Sequence, residues 1–381
     1  MDIWADPATL PARRSEKWRH YPSDVLPVWV AEADVILAEP IRAALADAVG
    51  RSDTGYASVN GLFEAYAEFS AKRYGYRPDP ARMLLTPDVA QSGIGALRAL
   101  TEPGDAVVIN TPIYPPIFIW LEATGRRAVH SPLAHTSQGF SLDLDRLESD
   151  FAAGARAYLL CNPHNPTGVV LSRDELESIA QLAGRYGVRM IVDEIHAPLT
   201  LPGTDHVSFA KLDAEAAKAS FTLVSASKAW NLAGLKCALM FGGEDTAADL
   251  AAVPGEIRFG TGLFGVLAGQ AAFESGVEWL DAFVSALDSN RRLVGELLAE
   301  SLPEVGYSPP AATYLAWLDF RALGLGDDPA EALEERGKVA LGHGPDFGEE
   351  GRGWARLNFG TAPEVVAEAV RRMASALGRT G

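Results

Sequence analysis

The chain has 381 residues, 48% of them hydrophobic and 22% charged, which suits one large globular domain and a smaller one. The formal net charge is −17 and the basic residues are dispersed, which excludes a nucleic-acid binder or a ligand of anionic membranes. No apolar run is long enough for a membrane span, and the acidic N-terminus lacks the apolar core of a signal peptide. Cys161 and Cys237 lie in apolar segments, so we expect a reducing, cytoplasmic compartment. The seven histidines show no ligand spacing, so no structural zinc site is expected.

Short apolar runs alternate with helical segments between residues 83 and 243. The runs predicted to be strands are "ARMLLT", "AVVINTP", "RAYLLCNP", "VRMIVDEI", "FTLVSAS" and "CALMFGG". Helices are predicted over "VAQSGIGALRAL" and "SRDELESIAQLAGRYG", where Ser172 and Glu175 form a candidate capping box. This alternation predicts an α/β domain with a mostly parallel sheet that is covered on both faces.

The pattern changes after residue 276. Residues 277–302 read as one long amphipathic helix, followed by the strand "TYLAWLDF" and mixed α+β material. We therefore predict a large domain over residues 41–275. A small domain, made of residues 1–40 and 276–381, completes the substrate cleft.

Ligands of open α/β sheets bind outside the carboxyl ends of the strands, so the residues that follow each predicted strand are candidates. Tyr114 is either a stacking platform for a planar ligand or a core aromatic residue. The segment "NPHNPTG", residues 162–168, is either an ordinary turn-rich connection or a source of amide donors. The turn "TPDVAQSG" leads into a helix N-terminus, which is a weak signal for an anion site.

Two charged residues stand where burial is unfavourable. Asp193 directly follows Ile-Val and needs a cationic or N–H partner, which is either a structural salt bridge or a protonated ring nitrogen of a cofactor. Lys228, in "SASKAWNLAGL", ends an apolar strand, and burial would lower its pKa until its amine can form a Schiff base.

Further polar residues complete the pattern. Ser225 and Ser227 have hydroxyls suited to a phosphate, and Lys236 adds a positive charge. Arg356, in "RLNFG", is either an exposed arginine or a clamp that binds a carboxylate through two hydrogen bonds. Each feature alone has an ordinary structural explanation. Together they indicate one ligand, pyridoxal phosphate with an amino-acid substrate.

The order and spacing of these motifs resemble fold-type I pyridoxal-phosphate enzymes of the class I/II aminotransferase group. Within that group the chain is most similar to the MalY/PatB-type cystathionine β-lyases, or C–S lyases. The resemblance is carried by "GYASVNG", "TPIY", "NPHNPTG", "VDEIH", "SASKAWNLAGL", "ATYLAWLDF" and "GEEGRGWARLNFG", which span most of the chain. It implies an aspartate aminotransferase-like fold with a seven-stranded sheet in the large domain.

The resemblance also implies roles for residues around the cofactor. Lys228 resembles the lysine that binds the cofactor covalently, and Asp193 the partner of its pyridine nitrogen. Asn165 resembles the donor to the phenolic oxygen, and Tyr114 the ring that stacks on the cofactor. The implied phosphate contacts are Ser225, Ser227 and the backbone at Val89 and Ala90.

Other implied roles concern the substrate and a second subunit. Arg356 resembles the substrate-carboxylate clamp, and Asn165 lies beside the same substrate. Tyr56 is similar to a tyrosine that reaches the neighbouring subunit's active site, which implies a homodimer with shared sites.

The chain departs from the wider pattern at several positions. His196 stands beside the cofactor where transaminases of this fold have tyrosine, as in the lyase subgroup, and Lys236 occupies a phosphate position often held by arginine. The segment "AEADV" replaces an "ADMDF"-like stretch with Glu32 and Ala33, which bears on substrate choice. The stretch "GTGLFG", residues 260–265, fits a dinucleotide fingerprint by letter only, and we interpret it as a turn near the subunit interface.

The activity implied by the resemblance is α,β-elimination from cystathionine or another S-substituted L-cysteine, within methionine biosynthesis and amino-acid metabolism. The alternatives are an aminotransferase on the same scaffold and a regulatory module without turnover. The sequence leaves the natural thioether open.

Overall fold

A computed structural model describes residues 2–59, 61–137 and 139–379 of the chain. The strands, in chain order, are β1 (Leu26–Pro27), β2 (Met83–Thr86), β3 (Ala106–Ile109), β4 (Arg127–His130), β5 (Ala134–Thr136), β6 (Gly139–Ser141), β7 (Ala157–Cys161), β8 (Arg189–Asp193), β9 (Phe221–Val224), β10 (Ala238–Gly242), β11 (Gly306–Tyr307), β12 (Leu315–Asp319), β13 (Val339–Ala340), β14 (Gly342–His343) and β15 (Trp354–Asn358). The helices are α1 (Glu16–Arg19), α2 (Glu39–Gly50), α3 (Leu62–Tyr74), α4 (Val89–Leu100), α5 (Pro116–Ala123), α6 (Leu144–Ala152), α7 (Arg173–Tyr186), α8 (Glu215–Lys218), α9 (Ala247–Ala252), α10 (Leu263–Ser275), α11 (Val277–Ser301), α12 (Pro329–Gly337) and α13 (Pro363–Ala376).

The large sheet has seven strands in the order β2-β10-β9-β8-β7-β3-β4. Strands β9, β8, β7, β3 and β4 pair in parallel, and β10 runs antiparallel to both of its neighbours. Every residue of β3, β7, β9 and β10 is buried, because helices cover both faces of the sheet. The predicted α/β class with a mostly parallel sheet is confirmed.

The six predicted strands are all present in this sheet. The sequence prediction missed β4, one of the two edge strands, whose residues are half-buried or exposed. This strand faces the core over a small area, and its sequence "RAVH" lacks the continuous apolar run that identifies the central strands.

A second, antiparallel sheet has the order β11-β12-β15-β14. Helix α11 has 25 residues, which confirms the single long helix predicted from residue 277 onward. The N-terminal segment lies along this part of the chain, because β1 pairs in parallel with β13 and the amide of Asn358 donates to the carbonyl of Val28. These contacts favour the predicted division into residues 41–275 and residues 1–40 with 276–381, which stays a prediction.

Helix α7 begins with the predicted capping box. The Ser172 hydroxyl oxygen accepts from the amide of Glu175, and the Glu175 carboxylate accepts from the amide of Ser172 at 2.8 Å. Across the described ranges, no helix is long and apolar enough to cross a membrane.

We expect Ser172→Ala to lower the free energy of unfolding by about 1 kcal/mol, because one helix N–H loses its acceptor. The measurement is the urea unfolding midpoint. Ser178→Ala is the matched control: its hydroxyl donates to the Asp174 carbonyl within the same helix, so its removal uncaps nothing and should change stability by less than about 0.5 kcal/mol. Equal losses in the two variants would contradict the capping role.

Candidate active site

The carboxyl ends of the parallel strands open onto one cavity of about 320 Å³. Strand β8 ends with Asp193, β7 leads into residues 162–168, and Lys228 lies four residues after β9. The sequence-predicted residues that line the cavity are Val89, Ala90, Tyr114, Asn165, Asp193, His196, Ser227, Lys228 and Lys236. The sheet therefore brings together groups that are up to 147 residues apart in the chain, from Val89 to Lys236.

Lys228 is held in this cavity by a backbone oxygen. Its Nζ donates to the carbonyl of Ala31 at 2.8 Å. Burial, with the nearby Arg356 charge, lowers the pKa of Lys228 from 10.5 to about 8. The amine is therefore largely available as a neutral nucleophile or base only slightly above neutral pH.

Asp193 is a buried carboxyl group that lines the cavity. The residue is 3% exposed, and its Oδ1 accepts from the amide of Ile195 at 3.0 Å. Burial raises the pKa of Asp193 from 3.8 to about 7. A carboxyl in this setting favours a ligand that carries a cationic N–H, because such a partner restores the ionised form.

The sides of the cavity are apolar and aromatic. Tyr114, Trp120 and Ile195 line it, with the Tyr114 and Trp120 rings 6.3 Å apart edge to face. His196 is buried, and burial lowers its pKa to about 3, so the imidazole is neutral. Its Nδ1 has no hydrogen-bond partner within the described residues. A planar heterocycle fits between such walls.

One end of the cavity is formed by the N-terminus of α4. Val89 and Ala90 are the first residues of α4, so their backbone N–H groups lack helical acceptors. Asp88, a residue that the sequence interpretation did not single out, caps this helix by accepting from the amide of Gln91 at 2.9 Å. Its other oxygen lies 3.0 Å from Lys236 Nζ, so a phosphate bound here would meet the helix N-terminus and a lysine that it shares with the Asp88 carboxylate.

Ser225 differs from its prediction as a phosphate contact. Its hydroxyl donates to the carbonyl of Cys237 at 2.7 Å and accepts from the amide of Ser227 at 3.0 Å. It is absent from the residues that line the cavity. The hydroxyl is committed to holding the turn before Lys228, whereas Ser227 lies at the cavity surface.

Arg356 and Asn165 form a joined pair. Arg356 Nη1 donates to Asn165 Oδ1 at 2.9 Å, and its Nη2 donates to the carbonyl of Trp29 at 3.0 Å. The guanidinium lies 4.8 Å from the Phe347 ring centroid, and burial lowers its pKa to about 10, so it remains a cation at neutral pH. Nε is buried with no partner in the described part of the chain, which suits a carboxylate ligand. Because Asn165 Oδ1 is an acceptor here, its amide nitrogen is the atom that can donate to a ligand.

Tyr56 is not brought into this cavity. Its side chain is fully exposed, at 103% of the reference area. Its predicted role concerns a neighbouring subunit and stays a prediction.

The "GTGLFG" stretch has a packing role that sequence reasoning missed. A Cβ on Gly262 or Gly265 would lie 2.7 or 2.4 Å from the Leu235 carbonyl oxygen. The glycines thus let α10 approach the backbone that presents Lys236. Ala31 and Trp29 were also missed, because their contribution is a backbone carbonyl, which no sequence motif signals. The described residues contain no cluster of three or more side chains able to hold a metal ion.

These features define an α/β protein with the architecture of the aminotransferase-like enzymes. The chain belongs to the aminotransferase class I and II family, whose model matches residues 21–373. It is 42% identical to a Mycobacterium tuberculosis protein provisionally named cystathionine beta-lyase, over 96% of this chain and 95% of that one. It is 39% identical to the cystathionine beta-lyase of Corynebacterium glutamicum, over 96% and 97% of the two chains.

Solved structures agree with this placement. A Corynebacterium diphtheriae protein, provisionally named a PLP-dependent beta-cystathionase, superimposes with a TM-score of 0.93 at 37% identity and covers 100% of both chains. The PLP-bound C-S lyase from Staphylococcus hominis superimposes with a TM-score of 0.89 at 26% identity, over 96% of each chain.

We expect Asp193→Asn to stabilise the ligand-free chain above pH 7. Because burial raises the Asp193 pKa to about 7, the folded chain holds a proton that the unfolded chain has lost between about pH 4 and 7. This carboxyl therefore lowers stability as the pH rises through that window, by at most about 4 kcal/mol. The measurement is urea unfolding at pH 4 and pH 8. From pH 4 to pH 8 the free energy of unfolding of the variant should rise relative to that of the wild type.

Asp213→Asn, at a carboxylate that is 97% exposed, is the control and should show no such gain. A constant difference between Asp193→Asn and wild type at both pH values would contradict the buried ionisation.

Proposed function

We propose that the protein is a pyridoxal-phosphate-dependent C–S β-lyase. It converts an S-substituted L-cysteine, such as cystathionine, and water to a thiol, pyruvate and ammonia. The observation that carries the proposal is the meeting in one cavity of Lys228, whose pKa is lowered to about 8, with the buried Asp193 and with Asn165, to which the buried Arg356 donates a hydrogen bond. The names of the relatives support the reaction class.

The residues of the cavity fit pyridoxal phosphate. Asp193 would pair with the pyridine nitrogen, Asn165 would donate to the phenolic oxygen, and Tyr114 and Ile195 would hold the ring between them. The phosphate would lie at the N-terminus of α4 with Ser227 and Lys236. When bound, the cofactor supplies an electron sink for the pair of electrons left at the substrate Cα.

The chain's own groups handle the substrate and its protons. Arg356 binds the α-carboxylate, using the buried Nε that has no protein partner in the described residues. Neutral Lys228 removes the α-proton, and Asp193 supplies the negative charge that keeps its ring partner protonated. Lys228 or Tyr56 assists departure of the sulfur. Neutral His196 adds no further positive charge beside Lys228 and Arg356.

An aminotransferase is the alternative, because the family match covers transaminases and the machinery described is shared. Two observations favour the lyase: His196 in place of a tyrosine, and the segment "GEEGRGWARLNFG". Incubation with cystathionine and no keto acid separates the two, since a lyase alone then releases pyruvate and a thiol catalytically.

The proposal also covers the oligomeric state, the cellular location and the metabolic role of the enzyme. We infer a homodimer with shared active sites, a cytoplasmic location and a role in amino-acid metabolism that includes methionine biosynthesis. The exposed Tyr56 supports the shared site, because a fully exposed tyrosine in the segment 54–59 has room to contact a second copy.

We expect Lys228→Ala to abolish pyruvate release from cystathionine, with kcat reduced by at least about 10⁴-fold, because the base and covalent anchor are one group. The assay is lactate dehydrogenase-coupled pyruvate detection without a keto acid. Lys211→Ala is the control, since Lys211 donates to the Tyr74 carbonyl away from the cavity and its loss should leave kcat nearly unchanged. Substantial elimination by Lys228→Ala would remove the assignment.

Mixing two variants should restore activity if the sites are shared and pyruvate release needs both Lys228 and Tyr56. In a hybrid of Lys228→Ala and Tyr56→Phe subunits, one site receives Lys228 from one subunit and Tyr56 from the other. Pyruvate release that appears only after denaturation and joint refolding is the expected result. A fully active Tyr56→Phe homodimer would exclude the tyrosine from the reaction.

A further inference from the structure

A stretch of four residues, 29–32, offers backbone oxygens to both key cations of the site. The carbonyl of Trp29 accepts from Arg356 Nη2 at 3.0 Å, and the carbonyl of Ala31 accepts from Lys228 Nζ at 2.8 Å. We refer to residues 29–32 as the carbonyl segment. Its position sets the distance between the amine that works on the substrate and the guanidinium that would bind it.

The carbonyl segment is itself fixed from both sides. Asn358 Nδ2 donates to the carbonyls of Val30 at 2.6 Å and Glu32 at 2.7 Å. The Tyr314 hydroxyl donates to the Ala31 carbonyl at 3.1 Å, beside the Lys228 contact. Each carbonyl of the segment thus has a side-chain donor, so a shift of the segment breaks several hydrogen bonds at once.

A buried ion pair anchors the end of this segment. Lys17 Nζ lies 2.6 Å from Asp34 Oδ2, and both side chains have 0% exposure. The same Nζ donates to the Glu32 carbonyl at 3.2 Å, and Trp18 Nε1 donates to Asp34 Oδ1 at 2.8 Å. Burying two charges is unfavourable, and apolar replacements of such pairs are often neutral for stability. Stability alone is therefore a weak explanation for this pair.

We propose that Lys17 and Asp34 are positioning residues, which hold the carbonyl segment so that Lys228 and Arg356 keep their relative placement during the reaction. The inference rests on the proposed function, in which Lys228 removes the α-proton while Arg356 holds the carboxylate. Once the lysine amine is free to act as a base, the Ala31 carbonyl is the acceptor that orients it. A displacement of about 1 Å can lower a rate by about 100-fold.

The test uses Asp34→Asn, which keeps the shape of the side chain, and the double variant Lys17→Met/Asp34→Asn, which leaves no unpaired buried charge. Arg189→Met is the matched control: Arg189 pairs with Asp249 at the start of β8, at the end of the strand opposite to Asp193. All chains are assayed well below their thermal unfolding midpoints. In Asp34→Asn and in Lys17→Met/Asp34→Asn we expect kcat for pyruvate release to fall by about 10- to 100-fold and KM to rise. In Arg189→Met we expect both constants to stay within about twofold of the wild-type values.

A second measurement does not depend on elimination. Competitive acetylation of the full-length chain without cofactor, analysed by mass spectrometry, reports the pKa of Lys228, which burial holds at about 8 in the wild type. In the two variants a loosened segment admits water, so we expect this pKa to rise toward its usual value of about 10.4. It should stay at about 8 in Arg189→Met.

The two proposals fail in different ways. A wild type that releases no pyruvate overturns the lyase function, while the acetylation still tests the positioning role. Folded variants with wild-type kcat and KM and an unchanged Lys228 pKa would show that the pair is only structural, and this would overturn the inference.

Discussion

The site depends on one constraint, the desolvation of three ionisable side chains: Lys228 and Asp193 line the cavity, and Arg356 is joined to it through Asn165. Burial moves the pKa of Lys228 down to about 8, that of Arg356 down to about 10 and that of Asp193 up to about 7. Each shift favours the neutral form, because water is replaced by apolar walls. A ligand with a protonated ring nitrogen and a carboxylate supplies Asp193 and Arg356 with opposite charges. The arrangement is therefore better suited to a charged ligand than to the free chain.

The protein meets this constraint with neutral acceptors in place of counter-ions around Lys228 and Arg356. Carbonyl oxygens accept from both cations without fixing either as part of an ion pair, so Lys228 can lose its proton. Asp34, two residues beyond the carbonyl segment, pairs with the ammonium of Lys17 at 2.6 Å and lies 3.8 Å from the guanidinium of Arg13. The fold thus separates the charged Lys17–Asp34 anchor from the backbone carbonyls that hold Lys228 and Arg356, which keeps the base titratable and still holds it in place.

The sequence predicts those parts of the fold and of the site that leave a pattern within a few consecutive residues. Strands β3, β7, β8, β9 and β10 were predictable because burial on both faces leaves continuous apolar runs. Asp193 and Lys228 were predictable because a charge at the end of such a run is conspicuous. Edge strand β4 has no such run. The Ser225 hydroxyl donates to the Cys237 carbonyl, twelve residues away in the chain. The Ala31 carbonyl accepts from Lys228, which is 197 residues away. Neither contact leaves a local pattern.

The lowered pKa of Lys228 also bears on the choice between elimination and transamination. In elimination the sulfur leaves as a thiolate, whose conjugate thiol has a pKa of about 8.5. Burial lowers the pKa of the Lys228 ammonium to about 8, close to that of the thiol, so return of the α-proton to the departing sulfur costs little free energy. At the usual lysine pKa of about 10.4, the same transfer would be unfavourable by about two pH units, or roughly 2.6 kcal/mol. Transamination instead needs the lysine to deliver this proton to carbon and makes no use of the match. The desolvated amine, held by a neutral carbonyl, is thus tuned to both halves of a reaction in which one proton leaves Cα and one reaches sulfur.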